Sequence, residues 1–196
     1  MDLQAGRLRQ LVRQVRRAAI VATGPSVLSI VGANSSLDLD GVVHQLQVTA
    51  EERGVRVSSK LDSHDQTDWQ LSDAGVGFKP DDISTWQRAT VVLMVTTTDE
   101  QAVLDTYTAL KLAARETPLP AIEFLVQDVP HGESSRHVYD RLRDTLERFL
   151  DCRPAGLTVI SDSDAGQGMD QLIDRLLLLA PAASCSPLAT NSVEAV

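Results

Sequence analysis

Aromatic side chains make up only 4% of this 196-residue chain, so its core has to be built mainly from Leu, Val, Ile and Ala. Cysteine is almost missing. Cys152 and Cys185 show no metal-ligand spacing and no disulfide framework, which predicts free thiols in a reducing compartment. Long apolar runs are lacking too: Leu176–Ala180 falls far short of the ~20 residues that cross a bilayer. The N-terminus is arginine-rich but has no long apolar block and no cleavage site, so no signal peptide is expected and the predicted location is cytoplasmic. An excess of positive charge is absent as well. The net charge is −9, which argues against non-specific binding to nucleic acid or to an acidic membrane.

What remains is ordinary globular material, 43% hydrophobic and 23% charged, long enough for one sizeable core. It contains no internal repeat. The charge is unevenly placed: residues 1–17 carry Arg7, Arg9, Arg13, Arg16 and Arg17 against Asp2. Leu8, Leu11, Val12 and Val15 recur there at helical spacing, so residues 2–17 read as a basic amphipathic helix. Gly24-Pro25 ends that unit, residues 25–180 form the main domain, and the small polar residues 181–196 read as a disordered tail.

Strand and helix alternate through the main domain. Strands are expected at Val27–Val31, Val55–Ser59, Trp69–Asp73, Thr90–Thr96, Ala121–Val126 and Leu157–Ser161. Helices are expected after Asp38 or Asp40, which are candidate caps, with Val42, Val43, Leu46 and Ala50 inside and Gly54 at the C-terminus. Further helices are expected over Glu100–Arg115 (Val103, Leu104, Tyr107, Leu110 and Ala114 inward), over Ser134–Leu150 (Val138, Leu142, Leu146 and Phe149 inward), and over Gly168–Leu179. Thr90–Thr96 is apolar enough to be buried on both faces. The alternation predicts an α/β fold: a doubly wound, mostly parallel sheet flanked by helices.

The chain turns on Trp69-Gln-Leu-Ser-Asp-Ala-Gly-Val-Gly-Phe78. An apolar approach delivers Asp73 to a strand end, and Gly75 and Gly77 follow. Ligands of open α/β sheets bind outside such strand ends. In a nucleotide site Asp73 would hold Mg²⁺ through water and the glycines would admit a γ-phosphate; otherwise this is a strand and a glycine corner. A phosphate loop should then follow the first strand, with glycines, a Lys and a Ser or Thr. Val31-Gly-Ala-Asn-Ser-Ser-Leu-Asp-Leu-Asp-Gly41 keeps Gly32, has no Lys, and places Asp38 and Asp40 where phosphates would lie. Like charges a few ångströms apart repel by about 1–4 kcal/mol, depending on solvent screening, so tight nucleotide binding is not expected.

Other constellations are weak. His44, His64, His131 and His137 make no metal spacing, even with Glu133 between the last two. Ser134 and Ser135 read as a helix cap rather than a nucleophile, and Asp162-Ser-Asp164 as a strand-to-helix turn. Trp69 and Trp86 are expected to pack around the Asp73 turn.

Val91-Val-Leu-Met-Val-Thr-Thr-Thr-Asp-Glu-Gln-Ala-Val-Leu-Asp-Thr-Tyr-Thr-Ala-Leu-Lys111 resembles the strand–Thr-Thr-x-Glu–helix segment of MinD/ParA-type ATPases. The spacing of Asp105, Tyr107 and Lys111 is most similar to the flagellar-number regulators of that class (FlhG, also called FleN). Asp73-Ala-Gly-Val-Gly77 is similar to their Asp-x-Gly-x-Gly, and Gln127 stands where they usually have an Asn near the base. Asp2-Leu-Gln-Ala-Gly-Arg-Leu-Arg-Gln-Leu11 resembles their Asp-Gln-Ala-x-x-Leu-Arg helix, with Leu3 as an extra residue.

The resemblance implies a P-loop NTPase-like fold with a degenerate phosphate loop. Ala33, Asp38 and Leu39 stand where the family has two lysines and a Thr. The segment Asp62–Asp68 is much shorter than its counterpart. Gly32, Asp73, Gly75, Gly77 and Gln127 are then vestigial nucleotide and Mg²⁺ positions. Gln4, Ala5, Leu8 and Arg9 are the positions that would dock on an FlhF-type GTPase or another assembly factor. The implied function is that of a regulatory pseudo-ATPase in control of flagellar number or placement, with no cofactor, no catalytic residue and no metal. Membrane contact without a partner is not expected, and a homodimer is compatible with the pattern. The alternative is a working ATPase using ATP and Mg²⁺, with Lys60 or Lys79 replacing the missing lysine.

Overall fold

The computed structural model describes residues 25–59, 67–127, 134–160 and 165–180. The N-terminal segment 2–17, the shortened Asp62–Asp68 segment up to residue 66, His64, Lys60, His131, Glu133, Asp162-Ser-Asp164, Cys185 and the tail 181–196 lie outside these residues.

Six strands form one all-parallel sheet: β1 (Ser26–Gly32), β2 (Val57–Ser58), β3 (Trp69–Val76), β4 (Val91–Thr97), β5 (Ala121–Gln127) and β6 (Gly156–Ile160). Their order across the sheet is β2-β3-β1-β4-β5-β6. The helices are α1 (Leu39–Glu52), α2 (Ile83–Arg88), α3 (Glu100–Glu116), α4 (Ser135–Leu150) and α5 (Ala165–Leu179), with a 3₁₀ turn at Pro80–Asp82 before α2. Crossovers between parallel strands are right-handed. The chain moves one way from β1 to β2 and the other way from β3 to β6, so its helices divide between the two faces.

Each face has its own core. On one, α1 and α5 cover Leu28, Ile30, Leu71, Leu93 and Leu125. On the other, α2, α3 and α4 cover Val31, Val92, Met94, Ile122 and Phe124. The central strands β1 and β4 are buried on both sides, which is why they read as unbroken apolar runs. Both tryptophans are buried: Trp69 donates from Nε1 to the Ala180 carbonyl at 2.6 Å, and Trp86 meets the Phe78 ring edge-on at 5.6 Å.

Several expectations shift. The second strand shrinks from Val55–Ser59 to Val57–Ser58. Strand β3 does not stop at Asp73 but runs on to Val76, with a register irregularity opposite Ile30 and Gly32. On α3 the buried stripe is Ala102, Thr106, Ala109, Leu110 and Ala113, and Leu104 is 55% exposed. The small alanines let the helix approach β4 closely, which pushes Leu104 off the contact line. Phe149 is also turned out, its ring under the Arg148 guanidinium at 5.2 Å, while Tyr139 and Leu150 pack inward.

Candidate functional site

The C-terminal edge of the sheet gathers the end of β1, the β3 turn and the end of β4. Gly77 donates its N–H to the Gly32 carbonyl at 2.9 Å, and Ala33 donates to Val95 at 2.8 Å, so the three strand ends are tied together. Gly75 and Gly77 have φ of 70° and 69°, a left-handed conformation that favours glycine. Asp73 is exposed, and its Oδ1 accepts the Gly75 N–H at 2.8 Å. The carboxylate therefore closes its own turn. Gln127 ends β5, paired with Thr97 of β4. It sits two strands from β1, roughly 10 Å away at ordinary strand spacing. Gly32, Asp73, Gly75 and Gly77 thus come together, and Gln127 stands apart from them along the edge.

The β1–α1 loop is folded onto itself. Asp38 is the N-cap of α1, and its Oδ1 accepts the Gly41 N–H at 2.9 Å. The Asn34 side chain accepts from the Ser36 N–H at 3.2 Å and from its hydroxyl at 2.6 Å. Leu39 donates its N–H to the Leu37 carbonyl at 3.1 Å. The N–H groups of Ala33, Ser36, Leu39 and Gly41 are therefore all committed to acceptors of the protein itself. Leu37 and Leu39 are buried in the α1–α5 core, and Leu39 packs so tightly on Gly32 that a Cβ there would lie 3.0 Å from it. A Cβ on Gly41 would collide with the Asp38 carboxylate.

These residues do not fit a magnesium nucleotide. A carboxylate holds the helix N-terminus, where partial positive charge favours an anion, and Leu39 next to it is buried in the core instead of facing the edge with a polar group. Of the lysines named for a substitute role, Lys60 lies outside the described residues, and Lys79 is exposed, its backbone N–H donating to the Asp82 carboxylate at 2.9 Å. The self-capping was legible only in part. Asp38 was a candidate cap by residue type, but the inward turn of Leu37 and Leu39 carries no local sequence signal.

A second cap lies beside this loop. Asp99 heads α3, accepting the Ala102 N–H at 2.8 Å and a hydrogen bond from the Thr97 hydroxyl. The Thr97 contact, helped by backbone donors, holds its carboxyl below the usual range. Sequence reasoning singled out this stretch by resemblance but missed its role as a cap. It also missed a buried ion pair on the α1–α5 face. Glu123 of β5 is fully buried, and Arg175 of α5 reaches it at 2.8 Å. Burial pushes the Glu123 carboxyl up to about 7, against the opposing pull of Arg175 and Thr158. Among the described residues no group of three or more His, Cys, Asp or Glu could hold a metal, and no helix is long and apolar enough to cross a membrane.

No protein-family model matches the chain, and no curated protein matches it. Among solved structures, apo translation elongation factor SelB from Methanococcus maripaludis is similar with a TM-score of 0.54 and 12% identity, over 84% of this chain and 37% of SelB. The chain thus spans little more than a third of that protein's length. A ParA family ATPase from Chlorobium tepidum TLS is similar with a TM-score of 0.39 and 17% identity, over 80% of this chain and 79% of that one. The likeness to part of SelB is one of fold: an all-parallel sheet flanked by helices, the doubly wound α/β arrangement expected from the sequence.

Proposed function

We propose that the chain is a regulatory module of the MinD/ParA type, closest to the FlhG-like regulators, that works without nucleotide turnover. The observation that carries this reading is the self-capped loop: Asp38 occupies the N-terminus of α1 as an internal anion. A phosphate would have to displace that carboxylate, or sit beside it at a cost of about 1–4 kcal/mol. The rest of the edge keeps the fold's ligand-facing turns, so the scaffold persists while its grip on phosphate is gone.

Activity then lies in surface recognition. Residues 2–17, through Gln4, Ala5, Leu8 and Arg9, engage an FlhF-type GTPase or another assembly factor, in control of flagellar number or placement. Two measurements test this. Titration calorimetry of the full chain with ATP and Mg²⁺ is expected to give no heat of binding; micromolar binding that disappears in Asp73→Ala overturns the nucleotide-free reading. GTP turnover by an FlhF-type GTPase is expected to rise several-fold when the chain is added and to return to baseline with Gln4→Ala/Leu8→Ala. Unchanged turnover with the wild type rejects the partner.

A further inference from the structure

The two helical faces of the sheet differ in charge. Helices α2, α3 and α4 carry seven Lys or Arg against six Asp or Glu. Helices α1 and α5 carry five carboxylates, Asp40, Glu51, Glu52, Asp170 and Asp174, all exposed. Their only cation, Arg175, is turned inward onto Glu123. Arg53, at the end of α1, bridges to Asp170 at 2.9 Å and to Asp174, which leaves Asp40, Glu51 and Glu52 uncompensated by it. Two apolar side chains are offered on the same face, Val48 at 40% and Leu178 at 83% exposure.

The start of β1 lies beside this face. Ser26 donates its N–H to the Asp68 carbonyl at 3.0 Å and pairs in register with Trp69. Trp69 in turn binds the carbonyl of Ala180, just past the end of α5. The entry to β1 and the exposed Leu178 therefore share one corner of the molecule. Residues 18–24 extend at most about 25 Å, and the 15 residues of α5 make a helix of about 22 Å. The whole face is within reach of residues 2–17. That segment carries five arginines and one aspartate, with Leu8, Leu11, Val12 and Val15 at helical spacing.

We propose that the acidic α1–α5 face is the docking surface for residues 2–17 of the same chain. The arginines answer Glu51 and Glu52, which Arg53 leaves uncompensated, and the leucine and valine stripe covers Val48 and Leu178. The opposite face also exposes apolar side chains, Leu104, Leu112 and Phe149, but its charges nearly balance and would not select a basic segment. Docked in this way, the segment is withheld from any other partner until that partner outcompetes the face. The inference draws on the segment used in the proposed function but requires no GTPase, so failure of GTPase stimulation leaves its test intact.

The test is the rate of trypsin cleavage after Arg9 in the full chain, a site that every variant below retains. Wild type is expected to be cleaved about tenfold more slowly than Glu51→Lys/Glu52→Lys, whose substitutions are solvent-exposed and leave the melting midpoint unchanged. Arg13→Glu/Arg16→Glu is expected to be cleaved as fast as the lysine variant. The four changes together are expected to restore slow cleavage, a reciprocal rescue that general destabilisation does not produce. High salt is expected to speed cleavage of the wild type and of the four-fold variant but not of the two double variants, since exposed charge pairs are screened. Equal rates in all four proteins overturn the proposal. So does protection that disappears on dilution, which assigns the contact to a second copy.

Discussion

Glu123 shows how much one residue depends on its neighbours. Its pair with Arg175 exists because position 156 is glycine: a Cβ there would overlap the Arg175 guanidinium. Gly156→Ala is therefore expected to swing Arg175 away and strand a buried carboxylate, at a cost of about 3 kcal/mol at pH 8. At pH 5 the carboxyl is protonated and the cost shrinks; urea unfolding at the two pH values checks this. In wild type the folded value of about 7 lies above the ordinary 4.5. The native state thus holds a proton that the unfolded chain releases in between. The associated stability is complete below pH 4.5 and is lost as pH rises through 7, by up to about 3 kcal/mol. Glu123→Gln is expected to flatten the stability profile over that window, and a parallel profile rejects the assignment. Nothing around Glu123 in sequence (Ala121-Ile-Glu-Phe-Leu-Val126) announces this pair, because its partner arrives from 52 residues further on.

At the level of elements, the start of α1 decides how the candidate site behaves. Asp38→Ala removes the cap and is expected to cost about 1 kcal/mol. Gly41→Ala alone is expected to be close to neutral, since alanine favours a helix by about 0.5–1 kcal/mol over glycine but its Cβ displaces the capping carboxylate. In the Asp38→Ala background the same change becomes stabilising. The double-mutant cycle in denaturant reads this coupling, and strict additivity sinks the close contact. The sequence carries the cap, the glycine and the helix. It does not carry the burial of Leu37 and Leu39, which depends on their joining a core that strands and helices from distant parts of the chain build together. The α3 stripe errs for a related reason. Periodicity finds a helix face to within a residue, but close packing on β4 selects Ala102, Ala109 and Ala113 over the larger Leu104.

For the whole molecule, the bond from Trp69 to Ala180 joins the start of β3 to the end of α5. Trp69→Phe leaves a buried carbonyl without its donor, for which about 2 kcal/mol is expected. Hydrogen exchange is expected to rise first in the last turn of α5, and exchange that rises uniformly rejects this tie. The bidentate pair of Arg56 with buried Asp68, at 3.0 and 3.1 Å, holds the neighbouring corner. These two links explain how an edge strand of only two residues, β2, stays in register with β3.

Local pattern by itself determined the alternation of strands and helices, the double burial within Thr90–Thr96, a cap at Asp38 or Asp40 and a glycine-bearing turn after Asp73. Those features are written in neighbouring residues, through hydrophobic period, capping chemistry and backbone freedom, and they suffice to name a parallel α/β sheet. Only the tertiary structure decided where Asp73 points, that the β1–α1 loop satisfies its own donors, and that Glu123 meets Arg175. Each of these depends on groups brought together across the sheet, where burial and competing hydrogen-bond partners set the outcome.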